Sequence, residues 1–469
     1  MTASNLLSKL ATIGDGPIAD SEAVARYATD VTRNYHGQPI AVMRPRTTEE
    51  VAAIVQVCAQ AAVSMVPHGG NSGLVGGSVP VGDDKSVVVS LERMTAVRDL
   101  DLLSNTVTVE AGYLLVDLQQ LAADNDRLFP LRHAGLSSQI GGNLSTNAGG
   151  TNVVRYGMAR NLVLGIEVVL ASGAIWNGLN RLPKHNTGYD LKHLFIGAEG
   201  TLGIITAAKL KLFPPPQLSE TVLFAMNTCA AAVDLLARCR AELDEFLSTF
   251  ELMSGVAVES VVDTTTSPMG SSYEWYVLAE FAATSKRVPL EEMLLNVISA
   301  AADDGLIADA IIAASASQSR KLWDIRERIA ALIVEDPTCV KGDSSVPISA
   351  IPKYIAAADK GVAALVPNAR VLVFGHIGDG NIHYNVLRPP AMSEEEFTVF
   401  GPALTLVIED AALDLGGSLS AEHGLGQRKF RRAAEVLDDE ELDLMRLIKR
   451  SLDPHGLWNP GKVVDDPDV

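Results

Sequence analysis

Positive charge, cysteine and long apolar runs are all scarce in this chain, and each scarcity removes a class of function. Against 57 Asp and Glu there are 38 Lys and Arg, a formal net charge of −19. Neutralising a phosphate backbone needs the opposite balance, so a nucleic-acid partner is not expected. The surplus acid serves solubility and offers a face to a basic electron carrier. The four cysteines (Cys58, Cys229, Cys239, Cys339) form no C-x-x-C pair, and they read as small buried residues of a reducing compartment. No apolar run reaches the roughly eighteen residues of a membrane-spanning helix, and the richest stretch, 161–176, is broken by Glu167. Residues 1–15 lack the basic start and apolar core of a secretory signal, so the expected compartment is the cytoplasm. Neither G-x-x-x-x-G-K-[ST] nor a strand–turn–helix G-x-G-x-x-G is present, which disfavours a P-loop NTPase and a nicotinamide Rossmann enzyme.

At 469 residues the chain is too long for one core, and its 47% hydrophobic content suits a compact globular protein of two or three domains. Thr47-Thr48-Glu49-Glu50 reads as a capping box opening a helix over 47–63, and a second helix is expected over 115–125. Strands are expected at 86–90, 106–110, 162–171 and 204–212, where β-branched residues cluster. Pro214-Pro215-Pro216 stops regular structure and marks the end of a first domain, 1–216. Beyond it, strands (220–225, 250–253, 275–280) and helices (229–243, 290–302, and 317–333 preceded by the stretch 307–312) alternate as in an α+β second domain, 217–425. A helix over 439–452 belongs to a C-terminal segment, 426–469.

Two glycine-rich stretches stand out. Pro67-His68-Gly69-Gly70-Asn71-Ser72-Gly73-Leu74-Val75-Gly76-Gly77 holds five glycines in eleven residues, and Gly141-Gly142-Asn143-Leu144-Ser145-Thr146-Asn147-Ala148-Gly149-Gly150 reads as a second loop of the same character. Glycine lets backbone N–H groups approach an anion closely, so two such neutral loops suit a long pyrophosphate-bearing cofactor.

The chemistry-bearing residues lie further on. In Phe374-Gly375-His376-Ile377-Gly378-Asp379-Gly380-Asn381-Ile382-His383-Tyr384-Asn385, an apolar β-branched run meets a turn signal and runs back as a second strand. With Gly378-Asp379-Gly380-Asn381 as the loop, Ile377 opposes Ile382 and His376 opposes His383. Cross-strand Cβ atoms lie roughly 5 Å apart, close enough for both imidazoles to hold one ion. Glu422 would complete a His₂Glu set that leaves a coordination position open, with His423 beside it as a candidate general base. Asn385, two residues after His383, shares its face of the strand and can hydrogen-bond a substrate.

These segments, with Asn186-Thr187-Gly188-Tyr189-Asp190-Leu191, Phe195-Ile196-Gly197-Ala198-Glu199-Gly200-Thr201-Leu202-Gly203-Ile204-Ile205-Thr206 and Asn459-Pro460-Gly461-Lys462, resemble the FAD-linked oxidases of the vanillyl-alcohol oxidase superfamily in the family's own order, over about residues 35–465. The combination is most similar to the branch of D-2-hydroxyglutarate dehydrogenases with its D-lactate- and glycolate-oxidising relatives. The resemblance implies an α+β fold: a two-part FAD-binding domain of the vanillyl-alcohol oxidase type, an α+β cap over the substrate, and a C-terminal segment returning to the flavin. It implies a non-covalent FAD held by Pro67, His68, Gly69, Gly70, Asn71, Ser72, Gly73, Gly76 and Gly77. Ser138, Gly141, Gly142, Asn143, Ser145, Thr146, Asn147, Gly149 and Gly150 are the matching cofactor residues of the second stretch, with Glu199, Gly200, Gly203, Ile205 and Asn459 beyond it. It carries over the metal ligands His376, His383 and Glu422, zinc being the first candidate ion, and gives Arg326 and Lys341 the task of binding substrate carboxylates.

The expected reaction is oxidation of a D-2-hydroxy acid to the 2-oxo acid, with hydride passing to flavin N5. Two cations suit a dicarboxylate, D-2-hydroxyglutarate first and D-malate second. Ala330 departs from the hydroxyl residue that glutarate-oxidising relatives tend to carry one turn after Arg326, which keeps D-lactate and glycolate as alternatives. An alcohol, sugar or aromatic oxidase of the same superfamily would lack the His₂Glu set. A non-catalytic flavin relay subunit would lack the base as well, and a structural zinc domain would close the fourth position. Expected partners are the small 2-hydroxy acid and an electron acceptor such as an electron-transfer flavoprotein or quinone, with a homodimer the default assembly.

Overall fold

A computed structural model describes residues 2–82, 85–262 and 268–464, and the chain divides into two compact units. The first gathers the chain up to Gly149, Gly157–Pro214 and the chain from Glu422 onward; the second comprises Gly150–Tyr156 and Pro215–Ala421. The division at Pro214 falls inside the proline run. It differs from the expected 1–216, 217–425 and 426–469 in two respects: 150–156 joins the second unit, and 422–425 joins the C-terminal segment in the first. The short piece 150–156 is tied to the second unit's sheet by Arg155, whose Nη1 donates to Ser248 Oγ (2.9 Å) and the Ala282 carbonyl (2.7 Å).

The first unit contains two sheets. Three parallel strands are ordered Ala41–Met43, Ser86–Ser90, Ser64–His68. Parallel strands need a crossover: the helix Thr48–Ala61 carries the chain from Ala41–Met43 to Ser64–His68, on the far side of Ser86–Ser90, and its Val51, Ile54, Val55 and Cys58 pack with Val87, Val89 and Trp458. The expected capping box is only half formed. Thr47 Oγ1 accepts from Glu50 N, but Glu50 turns its carboxylate to Arg46 N (2.7 Å) instead of Thr47 N. The other sheet is antiparallel, in the order Val97–Asp101, Thr106–Glu110, Ile204–Lys211, Val163–Val169, Ile175–Asn177. Its buried acids Glu110 and Glu167 are compensated by Arg98 (3.1 and 2.9 Å).

The second unit is an antiparallel sheet of eight strands. Along it run Asp309–Ile312, Leu218–Met226, Trp275–Ala283, Leu247–Ser254, Arg370–Gly375, Asn381–Leu387 and Val340–Lys341, with Ser344–Ser345 also on Asn381–Leu387. Period-two alternation divides its core. Val222, Phe224, Phe250, Leu252, Val277 and Val373 face the helices Cys229–Leu243, Leu290–Asp303, Ile351–Leu365 and Glu394–Leu413. Leu223, Met253, Tyr276, Leu278, Leu372 and Phe374 face the other way, toward Leu322, Ile325 and Ile329 of the helix Ala316–Glu335. That second face carries the polar groups described next. Among the described residues no helix is long and apolar enough to cross a membrane.

Candidate active site

On the second of these faces of the second unit's sheet, three neighbouring strands bring polar groups together. Phe374 pairs with His383, Leu372 with Asn385, and Lys341 with Asn385, so His383, Asn385 and Lys341 share one face. Glu251, between Phe250 and Leu252 and paired with Leu278, is on that face too. The helix packed over it contributes Arg326, 7% exposed. The expected register is therefore two residues out: His383 opposes Phe374, not His376. The strand stops at Gly375, which has φ 153°, and His376–Gly380 forms the turn, with Asp379 N and Gly380 N both donating to the His376 carbonyl (3.0 and 3.1 Å). Ile377 drops into the core at 0% exposure, and this burial draws the turn away from the ladder. The two imidazoles are adjacent all the same, with ring centroids 5.3 Å apart and nearly perpendicular.

Buried ion pairs organise the face. Glu251 accepts from His376 Nδ1 (2.6 Å) through one oxygen and from Arg326 Nε (2.9 Å) through the other. Burial pushes the Glu251 carboxyl up, but His376 and Arg326 outweigh it and hold the acid at about 2. The Arg326 guanidinium also lies over the Phe374 ring, 4.4 Å from its centroid. Glu251 thus cancels the charge of Arg326, and the surplus positive charge assumed in choosing a dicarboxylate is smaller than the sequence implied. Arg326 still has its two terminal nitrogens as a planar edge for a carboxylate. Asn385 is narrowed as well. Its Nδ2 faces two carbonyl oxygens, Leu372 O (3.3 Å) and His383 O (3.1 Å), which fixes the amide orientation and makes Oδ1 the acceptor end.

Asp343 was missed, although it stands two residues after Lys341. It is 2% exposed, accepts from Asn381 Nδ2 (3.0 Å), and its Oδ1 lies 3.8 Å from His383 Nδ1. Asp343 and His383 offer ligand atoms within 4.8 Å of each other, as do Glu422 and His423 in the first unit; His376, expected as a ligand, is not among these donors. Imidazole nitrogens with carboxylate oxygens make a donor set suited to zinc, cobalt or manganese.

In the first unit the two glycine stretches meet directly. A Cβ on Gly70 would strike the Ser137 carbonyl at 1.9 Å, and Ser137 Oγ donates to the Gly70 carbonyl (3.0 Å). The second stretch is not all loop: Ile140–Ser145 is a short helix, and within it Gly141 lies so close to Ala111 that a Cβ would approach its side chain to 2.7 Å. By contrast, among the described residues nothing lies within 4 Å of where a Cβ would stand on Gly73 or Gly142, and the nearby Gln139 Oε1 is buried with no hydrogen-bond partner among them. Open space lined by backbone, with an unpaired buried acceptor beside it, fits a long polar cofactor. Asn71, Asn147, Glu199 and Asn459 all take left-handed φ between 43° and 50°.

Asn459 Nδ2 donates to the carbonyls of Gly77 (2.9 Å) and Glu199 (2.7 Å), fastening the C-terminal segment to the first glycine-rich stretch and to the segment holding Glu199. Glu199, 7% exposed, accepts from Leu425 N (2.7 Å) and Gly426 N (2.9 Å), which sets the position of the Glu422-His423 turn just before them. Glu422 rests on Gly149, where a Cβ would stand 2.8 Å from its Oε2, and His423 Nε2 is 4.0 Å from Glu422 Oε1. His133, also unpredicted, joins Asn143 Oδ1 (3.0 Å), and burial lowers its pKa. His68 Nδ1 bonds the Ser78 carbonyl (2.9 Å) and its ring packs edge-on against Tyr27. Gly150, expected at the cofactor, belongs to the second unit.

Comparison with known proteins completes the picture. Residues 39–178 match the FAD binding domain family and 215–463 the family "FAD linked oxidases, C-terminal domain". The chain is 38% identical over 445 residues to a D-2-hydroxyglutarate dehydrogenase of Xanthomonas citri pv. viticola, covering 94% of this chain and 93% of that one. A mitochondrial D-2-hydroxyglutarate dehydrogenase of Bos taurus is 37% identical (95% and 81% covered), and a D-2-hydroxyglutarate–pyruvate transhydrogenase of Saccharomyces cerevisiae 34% (94% and 90%). In fold the chain is similar to p-cresol methylhydroxylase, with TM-score 0.79, 17% identity and 98% and 97% of the two chains covered. These matches, nearly full-length in the curated relatives, show that the chain belongs to the FAD-linked oxidases.

Proposed function

We propose that the chain oxidises D-2-hydroxy acids to 2-oxo acids with non-covalent FAD and a divalent metal, D-2-hydroxyglutarate being the preferred substrate and D-malate the second. The observation that carries this reading is the sheet face on which Arg326, Lys341, Asn385 and two adjacent imidazoles are gathered; the names of the relatives point the same way. Bound FAD supplies the hydride acceptor and a divalent ion the Lewis acidity. In this reading His376, His383 and Glu422 are the metal ligands, zinc being the first candidate, with Asp343 a further carboxylate available to the ion. His423 takes the hydroxyl proton on a ring nitrogen. Arg326 presents its terminal nitrogens to the distal carboxylate, and Lys341 adds a point charge. An electron-transfer flavoprotein or quinone takes the electrons. The assembly is a homodimer in the cytoplasm, where four buried free cysteines stay reduced.

The cofactor is directly testable. Purified protein should be yellow, and acid or heat should release all of its FAD, because His68 spends Nδ1 on Ser78 and packs against Tyr27. Flavin that stays with the acid-precipitated protein would contradict this, as would a colourless protein that FAD does not reconstitute.

Arg326→Ala should lower kcat/KM for D-2-hydroxyglutarate some 10- to 150-fold more than for D-lactate, the worth of one charge-assisted hydrogen bond of about 1.5–3 kcal/mol. The variant also leaves one Glu251 oxygen without its partner, so the buried pair's loss should lower stability by about 3–5 kcal/mol. Comparing two substrates on one preparation removes that stability effect. Equal losses for both acids would place Arg326 on the carboxylate they share.

A further inference from the structure

Glu251 is the most deeply buried acid among the described residues, at 0% exposure in the middle of the strand Leu247–Ser254. Its neighbours on that face are apolar, including Met253, Leu278 and Leu223. A carboxylate in such surroundings loses its hydration, and an apolar side chain of similar volume would often serve stability as well or better. Stability therefore does not explain it. Its geometry does: each oxygen is given to a different group, His376 Nδ1 at 2.6 Å and Arg326 Nε at 2.9 Å.

We infer that Glu251 is the positioning residue of this site, a single carboxylate that orients both the imidazole of His376 and the guanidinium of Arg326. An imidazole whose Nδ1–H is held by a carboxylate carries its lone pair on Nε2, the nitrogen through which it would bind a metal, and gains basicity as a ligand. A guanidinium held at Nε by Glu251 and across its face by Phe374 cannot rotate, so its two terminal nitrogens point one way. One buried acid thus couples the spacing of metal and substrate carboxylate, which a chelated 2-hydroxy acid requires to be fixed. The inference rests on the metal and substrate roles given above to His376 and Arg326.

Glu251→Gln keeps the shape but can accept from only one of the two donors. In FAD-loaded protein, measured with zinc alone in competition with a chromogenic chelator, the variant should bind zinc about 10- to 100-fold more weakly. It should also raise KM for D-2-hydroxyglutarate more than for D-lactate. A second measurement reads the wild type, with a variant used only to assign one signal. In zinc-loaded wild type labelled with ¹⁵N-histidine, the His376 signal, assigned by its loss in His376→Gln, should carry its proton on Nδ1. A His376 proton on Nε2 would overturn the inference, as would unchanged zinc affinity in Glu251→Gln. Those results leave the proposed function standing. A wild type that binds FAD but no zinc would overturn the metal reading, and the inference with it.

Discussion

Replacing His383 by alanine is expected to remove the divalent ion and D-2-hydroxy acid turnover together, while FAD stays bound. His383 stands opposite Phe374 on a fully buried strand, 7% exposed, with Asp343 Oδ1 3.8 Å from its Nδ1. Loss of Lewis-acid stabilisation worth several kcal/mol corresponds to about 10³-fold in rate. Prolonged chelation of the wild type should do the same. Zinc, cobalt and manganese should then restore activity to differing degrees in the wild type and not in the variant. Metal content by mass spectrometry, read beside flavin absorbance, separates this from general damage. Full activity in protein shown to be metal-free would end the Lewis-acid role.

His423→Asn should keep both metal and FAD and slow flavin reduction by about 10²-fold or more, the usual contribution of a general base. His423 belongs to the turn that Glu199 sets through Leu425 N and Gly426 N, and its side chain is a quarter exposed, with Nε2 4.0 Å from Glu422 Oε1. The check is stopped-flow flavin bleaching under anaerobic conditions, with metal measured on the same preparation. A variant that loses its metal would make His423 a ligand and put the base elsewhere.

How much of this was legible before the structure depends on the range of the forces involved. Strands such as Thr106–Glu110 and helices such as Cys229–Leu243 follow from local pattern, and their limits agree with expectation to within a residue or two. The hairpin holding His376 and His383 was legible, but its register was not. Turn length there is set by the burial of Ile377 and by Gly378 lying against Val154 and Phe250, contacts far away in sequence. Glycine density read Gly141 and Gly142 as loop because the contact with Ala111 that requires Gly141 is equally remote. Glu251 carried no signal at all: its partners lie 75 and 125 positions along the chain, and alone it is an acid in an apolar strand. Asp343 sat in a segment already singled out for Lys341, so a search for carboxylates near the histidines could have found it.

The most direct test is a dye-linked screen of D- and L-2-hydroxy acids on the FAD- and zinc-loaded protein. The expected order of kcat/KM is D-2-hydroxyglutarate, then D-malate, then D-lactate and glycolate, with the L-acids inert. Preference for D-lactate would move the chain to the lactate-oxidising branch, with Ala330, one turn after Arg326, the first residue to exchange. No reduction of the dye by any 2-hydroxy acid, in protein carrying both FAD and metal, would contradict the proposed reaction itself.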